Sequence, residues 1–359
     1  MKPAVTFAPG PSELYFTVED HIRKALRKGF PSISHRSKTF EAAFSLATNG
    51  LKELLNIPEG FHIVFTASAT EVWERHIQNL TEEKTCHFVN GAFSKRFHEV
   101  ATLLNRRAEK IEVEEGHGFT SQTIAEPAEL IALTHNETST GVSLPVDFIH
   151  GFREMYPDSL IAVDAVSSLP YPVFDFSKID SIYFSVQKCF GLPPGLGVWI
   201  VNEKCVEKAE RLRANGLPIG AYHNLPDMVA FAKKNQTQET PNMLAIYLLG
   251  HVVQDVLRRG INTIRKETEY KAAILYQALE QHPVLKPFVS TKAFQSKTVI
   301  VADTGTHTGS LAKFLNDKGL HPGGGYGKFK SEQLRFANFP THSKEQYEFL
   351  VDTLASYPG

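Results

Sequence analysis

Cysteine is scarce in this chain: three in 359 residues, Cys86, Cys189 and Cys205, with no CxxC spacing among them. That pattern indicates neither a zinc site nor a disulfide-stapled scaffold, and no metal is expected. A basic stripe and an acidic tail are also lacking, and the formal net charge is −1. A nucleic-acid partner needs concentrated positive charge, so none is expected. Long apolar stretches are missing too. The N-terminus, MKPAVTFAPGP, has no hydrophobic leader core, and no run approaches the roughly 20 apolar residues that cross a bilayer. The expectation is a cytoplasmic protein without a membrane partner. No GxGxxG follows a strand-like run, which sets aside a plain dinucleotide-binding fold.

What the chain does have is apolar residues in short, regularly spaced runs, 42% hydrophobic in all, enough for a large core in two domains. FHIVFTA (61–67), KTCHFVN (84–90), ELIALTHN (129–136), LIAVDAV (160–166), SIYFSVQ (181–187) and LGVWIVN (196–202) read as strands. Amphipathic stretches such as 69–80 and 94–108 read as helices between them. Continuous apolar runs are typical of strands buried on both faces, and alternation with helices predicts a mostly parallel α/β sheet. After 240–260 the pattern changes. KTVIVAD (297–303), SLAKFLNDKG (310–319), a glycine-rich loop and LRFANF (334–339) predict a smaller α+β domain. The division expected is 16–254 for the large domain, with 1–15 and 255–359 in the small one.

Ligands of open α/β sheets bind at the carboxyl ends of the strands, so polar residues there carry the most information. Asp164 closes LIAVD among aliphatics, and Lys188 follows the next strand. Burying either charge alone is costly; a mutual ion pair, or two side chains reaching solvent, is the plain explanation. Together they also suit pyridoxal phosphate. A desolvated lysine yields the neutral amine a Schiff base requires, and a carboxylate keeps the pyridine nitrogen protonated. Ser68, Ala69 and Thr70, between a strand and a helix, suit a phosphate or an ordinary helix cap. Phe93 is placed to stack on a ring or to pack in the core. Thr138, in THNETSTG after another strand end, is placed for a hydrogen bond to the ring oxygen or belongs to a polar turn.

The motifs FAPGPSEL (7–14), SISHRSKTF (32–40), HNETSTGV, VDAVSS, SVQKCFGLPPGLG, ETPNMLAIYLLG (239–250) and LRFANFP (334–340) resemble those of class V, fold-type-I pyridoxal-phosphate enzymes. The closest likeness is to the phosphoserine aminotransferase branch, and it covers nearly the whole chain. The resemblance implies a large domain with a mostly parallel sheet flanked by helices and a smaller α+β C-terminal domain. It implies that Lys188 forms the Schiff base, Asp164 pairs with the pyridinium, Phe93 stacks on it and Thr138 contacts the phenolic oxygen. Ser68, Ala69, Thr70 and Gln187 would hold the phosphate, joined by Thr240 of a neighbouring subunit. Arg335 would clamp the substrate α-carboxylate, and His35 and Arg36 would grip its distal anion across a homodimer with shared sites. Small amino acids and 2-oxo acids are the implied substrates. Three departures stand out: Glu71 near a position that is commonly Arg, Glu239 in place of Asn, and a loop, 322–330, without a His-Arg pair ahead of Arg335. Lys328 and Lys330 are the cations that remain there. SATEV and NGAF lean toward the alanine–glyoxylate branch, which makes a non-phosphorylated amino acid the alternative substrate. A non-catalytic homologue that retains the cofactor is a further alternative. A cysteine desulfurase fits poorly, because Gln187 stands where that branch has His and no cysteine follows Cys205.

Overall fold

The computed structural model describes residues 4–358. Its strands, in chain order, begin with Val5–Phe7 (β1), Phe61–Thr66 (β2), Lys84–Val89 (β3), Arg107–Glu112 (β4) and Leu130–Thr134 (β5). They continue with Leu160–Asp164 (β6), Ser181–Ser185 (β7) and Gly197–Asn202 (β8). Lys286–Pro287 (β9), Val299–Asp303 (β10), Leu320–Gly324 (β11) and Gln333–Ala337 (β12) lie towards the C-terminus. A short hairpin pairs Asn136–Glu137 with Val142–Ser143.

Seven strands form one sheet in the order β2-β8-β7-β6-β5-β3-β4. All run the same way except β8, which is antiparallel to both neighbours. The carboxyl ends of β2, β3, β5, β6 and β7 therefore share one edge. Side chains alternate between two helix-covered faces: Ile182 and Phe184 of β7 enter one core, while Tyr183 enters the other with Trp199. This is why these strands read as unbroken apolar runs.

Five strands form a second sheet, β1-β11-β12-β10-β9. Its core lies against helices Ile261–Gln281, Thr308–Asp317 and Lys344–Ala355. Gly260, at φ +86°, separates Ile261–Gln281 from the helix Met243–Arg259, which packs on Lys38–Leu55 beside the large sheet. Besides the two-residue strands, three strands depart from the sequence expectation. The amphipathic run read as helix to residue 108 ends at Leu103, and Arg107–Glu112 pairs with β3 as a charged, half-exposed edge strand. Leu320–Gly324, within the expected glycine-rich loop, becomes a strand because β1 and β12 pair with it, and β1 itself has no apolar run long enough to announce it. No helix among the described residues is long and apolar enough to cross a membrane.

Candidate active site

The shared strand edge opens into a cavity of about 130 Å³ lined by Ser68, Ala69, Thr70, Phe93, Thr138, Asp164, Gln187 and Lys188. Eight of the sequence-predicted residues thus meet in one place. Trp73, Thr134, Asn136, Val166 and Ser185 complete the wall.

Lys188 is 9% exposed and its Nζ donates to the Pro9 carbonyl at 2.5 Å. Burial, then the nearby Arg335 charge, pulls its pKa down to about 8. Close approach by the N-terminal segment demands glycine at position 10, where a Cβ would stand 2.0 Å from Nζ and φ is +141°. The Phe93 ring centroid lies 5.9 Å from the same nitrogen.

Asp164 ends β6 and is 4% exposed. Its Oδ1 accepts from the Val166 amide at 2.9 Å, with Tyr183 and Trp73 also against the carboxyl. Burial outweighs these donors and raises its pKa to about 7. Trp73 donates to Tyr183 Oη at 2.8 Å, so the two aromatics form a braced support. Neither was singled out from sequence, where an aromatic on a helix or strand reads as core.

The Ser68–Thr70 turn starts the helix Ala69–Leu80, and Ser68 Oγ caps it by accepting from the Glu71 amide. Ser185, at the end of β7, accepts from the Ala69 amide at 2.9 Å, tying this turn to the strand that leads into Lys188. Gly197 lets β8 pass close by, since a Cβ there would lie 2.5 Å from the Ser68 carbonyl carbon. Phe93 is set by Glu137, whose carboxylate accepts from the Phe93 and Ser94 amides at 3.3 and 2.9 Å. Thr138 Oγ1 donates to Ser167 Oγ at 2.8 Å.

Arg335, on β12, reaches from the small sheet. Its Nε donates to the Gly324 carbonyl at 2.7 Å and Nη1 to that of Thr138 at 3.2 Å, with the Tyr326 ring 5.4 Å from the guanidinium. The remaining expected residues lie elsewhere on this chain. His35 Nδ1 is 3.2 Å from Thr240 Oγ1. Arg36 donates to Gln236 Oε1 and the Thr237 and Gln238 carbonyls, and lies 4.6 Å over Phe231. Lys328 pairs with Glu115, an exposed contact.

The donor set fits pyridoxal phosphate. A low-pKa lysine, a buried acid, a flanking aromatic ring and a helix N-terminus converge, and Gln187 Oε1 and Asn136 Oδ1 are buried polar atoms without a hydrogen-bond partner.

Comparison with known proteins agrees. The model of the family described as aminotransferase class-V matches residues 6–326. The phosphoserine aminotransferase of Rhodococcus jostii is 30% identical over 326 residues, covering 89% of this chain and 86% of that protein. Among solved structures, the phosphoserine aminotransferase SerC of Cytophaga hutchinsonii is 50% identical, with a TM-score of 0.98 and full coverage of both chains. An aspartate aminotransferase of subgroup IV from Thermus thermophilus shares the fold at 23% identity and a TM-score of 0.85, covering 98% of each chain.

Proposed function

The chain belongs to the class-V aminotransferases, pyridoxal-phosphate-dependent transaminases, and from that premise we propose that it interconverts 3-phosphohydroxypyruvate plus glutamate with phosphoserine plus 2-oxoglutarate, in serine biosynthesis in the cytoplasm. The full-length likeness to the Cytophaga protein carries the substrate assignment; the juxtaposition of Lys188, Asp164 and Phe93 carries the chemistry.

Bound pyridoxal phosphate supplies an electron sink that acidifies the substrate α-proton. Lys188 anchors the cofactor covalently; with its pKa near 8, a useful fraction is neutral at physiological pH. The same nitrogen, when not bonded to the cofactor, would carry the substrate α-proton. Asp164 would hold the proton on the pyridine nitrogen, a cation that its buried carboxylate otherwise lacks as a partner. Ser68, Ala69, Thr70 and Gln187 would hold the phosphate, and Thr138 would serve the ring oxygen. Arg335 offers its planar fork to the substrate α-carboxylate. The surface patch of His35, Arg36 and Thr240 serves the partner's site in a homodimer.

A second reading, transamination of a non-phosphorylated amino acid, is favoured by one observation: in this chain Arg36 and Lys328 are both engaged by other groups. The test is to load the protein with pyridoxal phosphate and follow its visible band on adding phosphoserine, glutamate, alanine or serine. Conversion to the pyridoxamine form by phosphoserine and glutamate supports the first reading. Conversion by alanine or serine alone replaces it with the second.

A further inference from the structure

Two of the departures noted in the sequence, Glu71 and Glu239, meet at one imidazole. His223 Nδ1 lies 2.5 Å from Glu71 Oε1, and Nε2 lies 3.1 Å from Glu239 Oε2. The His223 side chain is only 3% exposed. The other Glu71 oxygen accepts from the Ala67 amide at 2.8 Å, immediately before the Ser68–Thr70 turn. Glu239 directly precedes Thr240. The rest of the surroundings are few: Arg75 Nη1 donates to the His223 carbonyl at 3.4 Å, the Tyr222 ring stacks at 4.1 Å, and His35 faces Glu239 from beyond Thr240.

We infer that His223 is a positioning residue for the cofactor phosphate: it holds Glu71, beside the phosphate turn of its own chain, and Glu239, beside the Thr240 that serves the partner's site, and so pins the 67–71 turn to the 239–240 segment and keeps each carboxylate off the phosphate it adjoins. The inference rests on the cofactor reading above. An anion at a helix N-terminus gains from the aligned amides, and a bare carboxylate in the same first turn competes with it. With a neutral or absent imidazole, each phosphate of the homodimer would face two uncancelled carboxylates, Glu71 of its own chain and Glu239 of the partner subunit. With a charged ring, one of them is cancelled and both carboxylates are held in place. Burial pulls His223 down, but the Glu239 carboxylate, an ion-pair contact 3.1 Å from Nε2 without hydrogen-bond alignment, and the hydrogen bond to Glu71 outweigh that and raise its pKa to about 9, while both glutamates are lowered. The ring is therefore charged at neutral pH. The same contacts account for two acidic residues near a phosphate: they are built around a cation.

The test uses pyridoxamine phosphate, which carries the same phosphate but makes no bond with Lys188, titrated into the cofactor-free full-length protein at pH 7.5. His223→Asn is expected to weaken binding about tenfold, the scale of an uncancelled charge at a partly screened site. Adding Glu71→Gln and Glu239→Gln to that variant should bring affinity back to within about threefold of wild type, which a merely packing role for the ring would not do. Glu239→Gln alone keeps the ring and should bind about threefold more tightly. Unchanged binding in His223→Asn, or a loss the triple variant does not recover, overturns the inference. Should His223→Asn not fold, Glu239→Gln decides, and unchanged or weaker binding is the overturning result. A wild-type chain that does not bind the probe overturns the cofactor reading, and this inference with it.

Discussion

Lys188 and Asp164 are displaced in opposite directions by the same first cause. Burial lowers the amine to about 8 and raises the acid to about 7, so each is nearer neutrality than it would be in water. Lys188→Ala should abolish turnover and the visible band of lysine-bound cofactor, yet leave pyridoxamine phosphate binding within about tenfold, because the phosphate cradle is untouched. Full activity in that variant would end the assignment. Asp164 yields a stability prediction whose sign follows from its raised pKa. Below about pH 3 the folded and unfolded states are both protonated, and the carboxyl costs nothing. As pH climbs towards 7 the unfolded state ionises first, and the cofactor-free fold accrues a penalty on the order of 4 kcal/mol. Asp164→Asn should therefore raise the melting temperature of the cofactor-free protein at pH 8 and leave it nearly unchanged at pH 4, while crippling catalysis. Equal shifts at both pH values would contradict this account. In the sequence these two residues stand out only as a pair, because either charge alone has a plain explanation in an ion pair or a reach to solvent. Trp73, Tyr183 and Ser185 do not stand out at all, since what distinguishes them is the neighbour across the sheet.

At the level of elements, the carboxyl edge of the large sheet does the gathering. Parallel strands β2, β3, β5, β6 and β7 deliver residues far apart in the chain to one cavity. Close backbone approach matters as much as side chains. At Gly197 a methyl group would meet the Ser68 backbone at 2.5 Å, a neighbour that cannot swing aside. Gly197→Ala should displace the cradle, costing about 1–3 kcal/mol and weakening pyridoxamine phosphate binding roughly tenfold or more. Titration of the variant checks it, and wild-type affinity would show the turn to be slack. The strands of the large sheet were readable as apolar runs because both faces are covered. Arg107–Glu112 and Leu320–Gly324 were not, because an edge strand with alternating charges and a glycine-rich strand owe their state to the partner that pairs with them. Glu71 and Glu239 looked like anomalies for a similar reason: His223, which relates them, lies far from Glu71 in sequence.

For the whole molecule, the open matter is assembly. His35, Arg36 and Thr240 cluster away from the cavity of their own chain, and the proposal that they complete a partner's site makes a mixing experiment decisive. Lys188→Ala and Arg36→Ala should each be inactive alone. Refolded together at equal concentration, they should recover roughly a quarter of wild-type activity, because half the dimers are mixed and each mixed dimer has one intact site. No recovery would place the whole site within one chain. A different consequence follows from the first strand. Val5–Phe7 pairs with Leu320–Gly324, and the residues just beyond it, Pro9 and Gly10, press against Lys188. During synthesis Val5–Phe7 must wait for Leu320–Gly324, far along the chain, before its docking strand exists. The lysine-side wall of the chamber is thus masonry that cannot be set until that distant strand has been made.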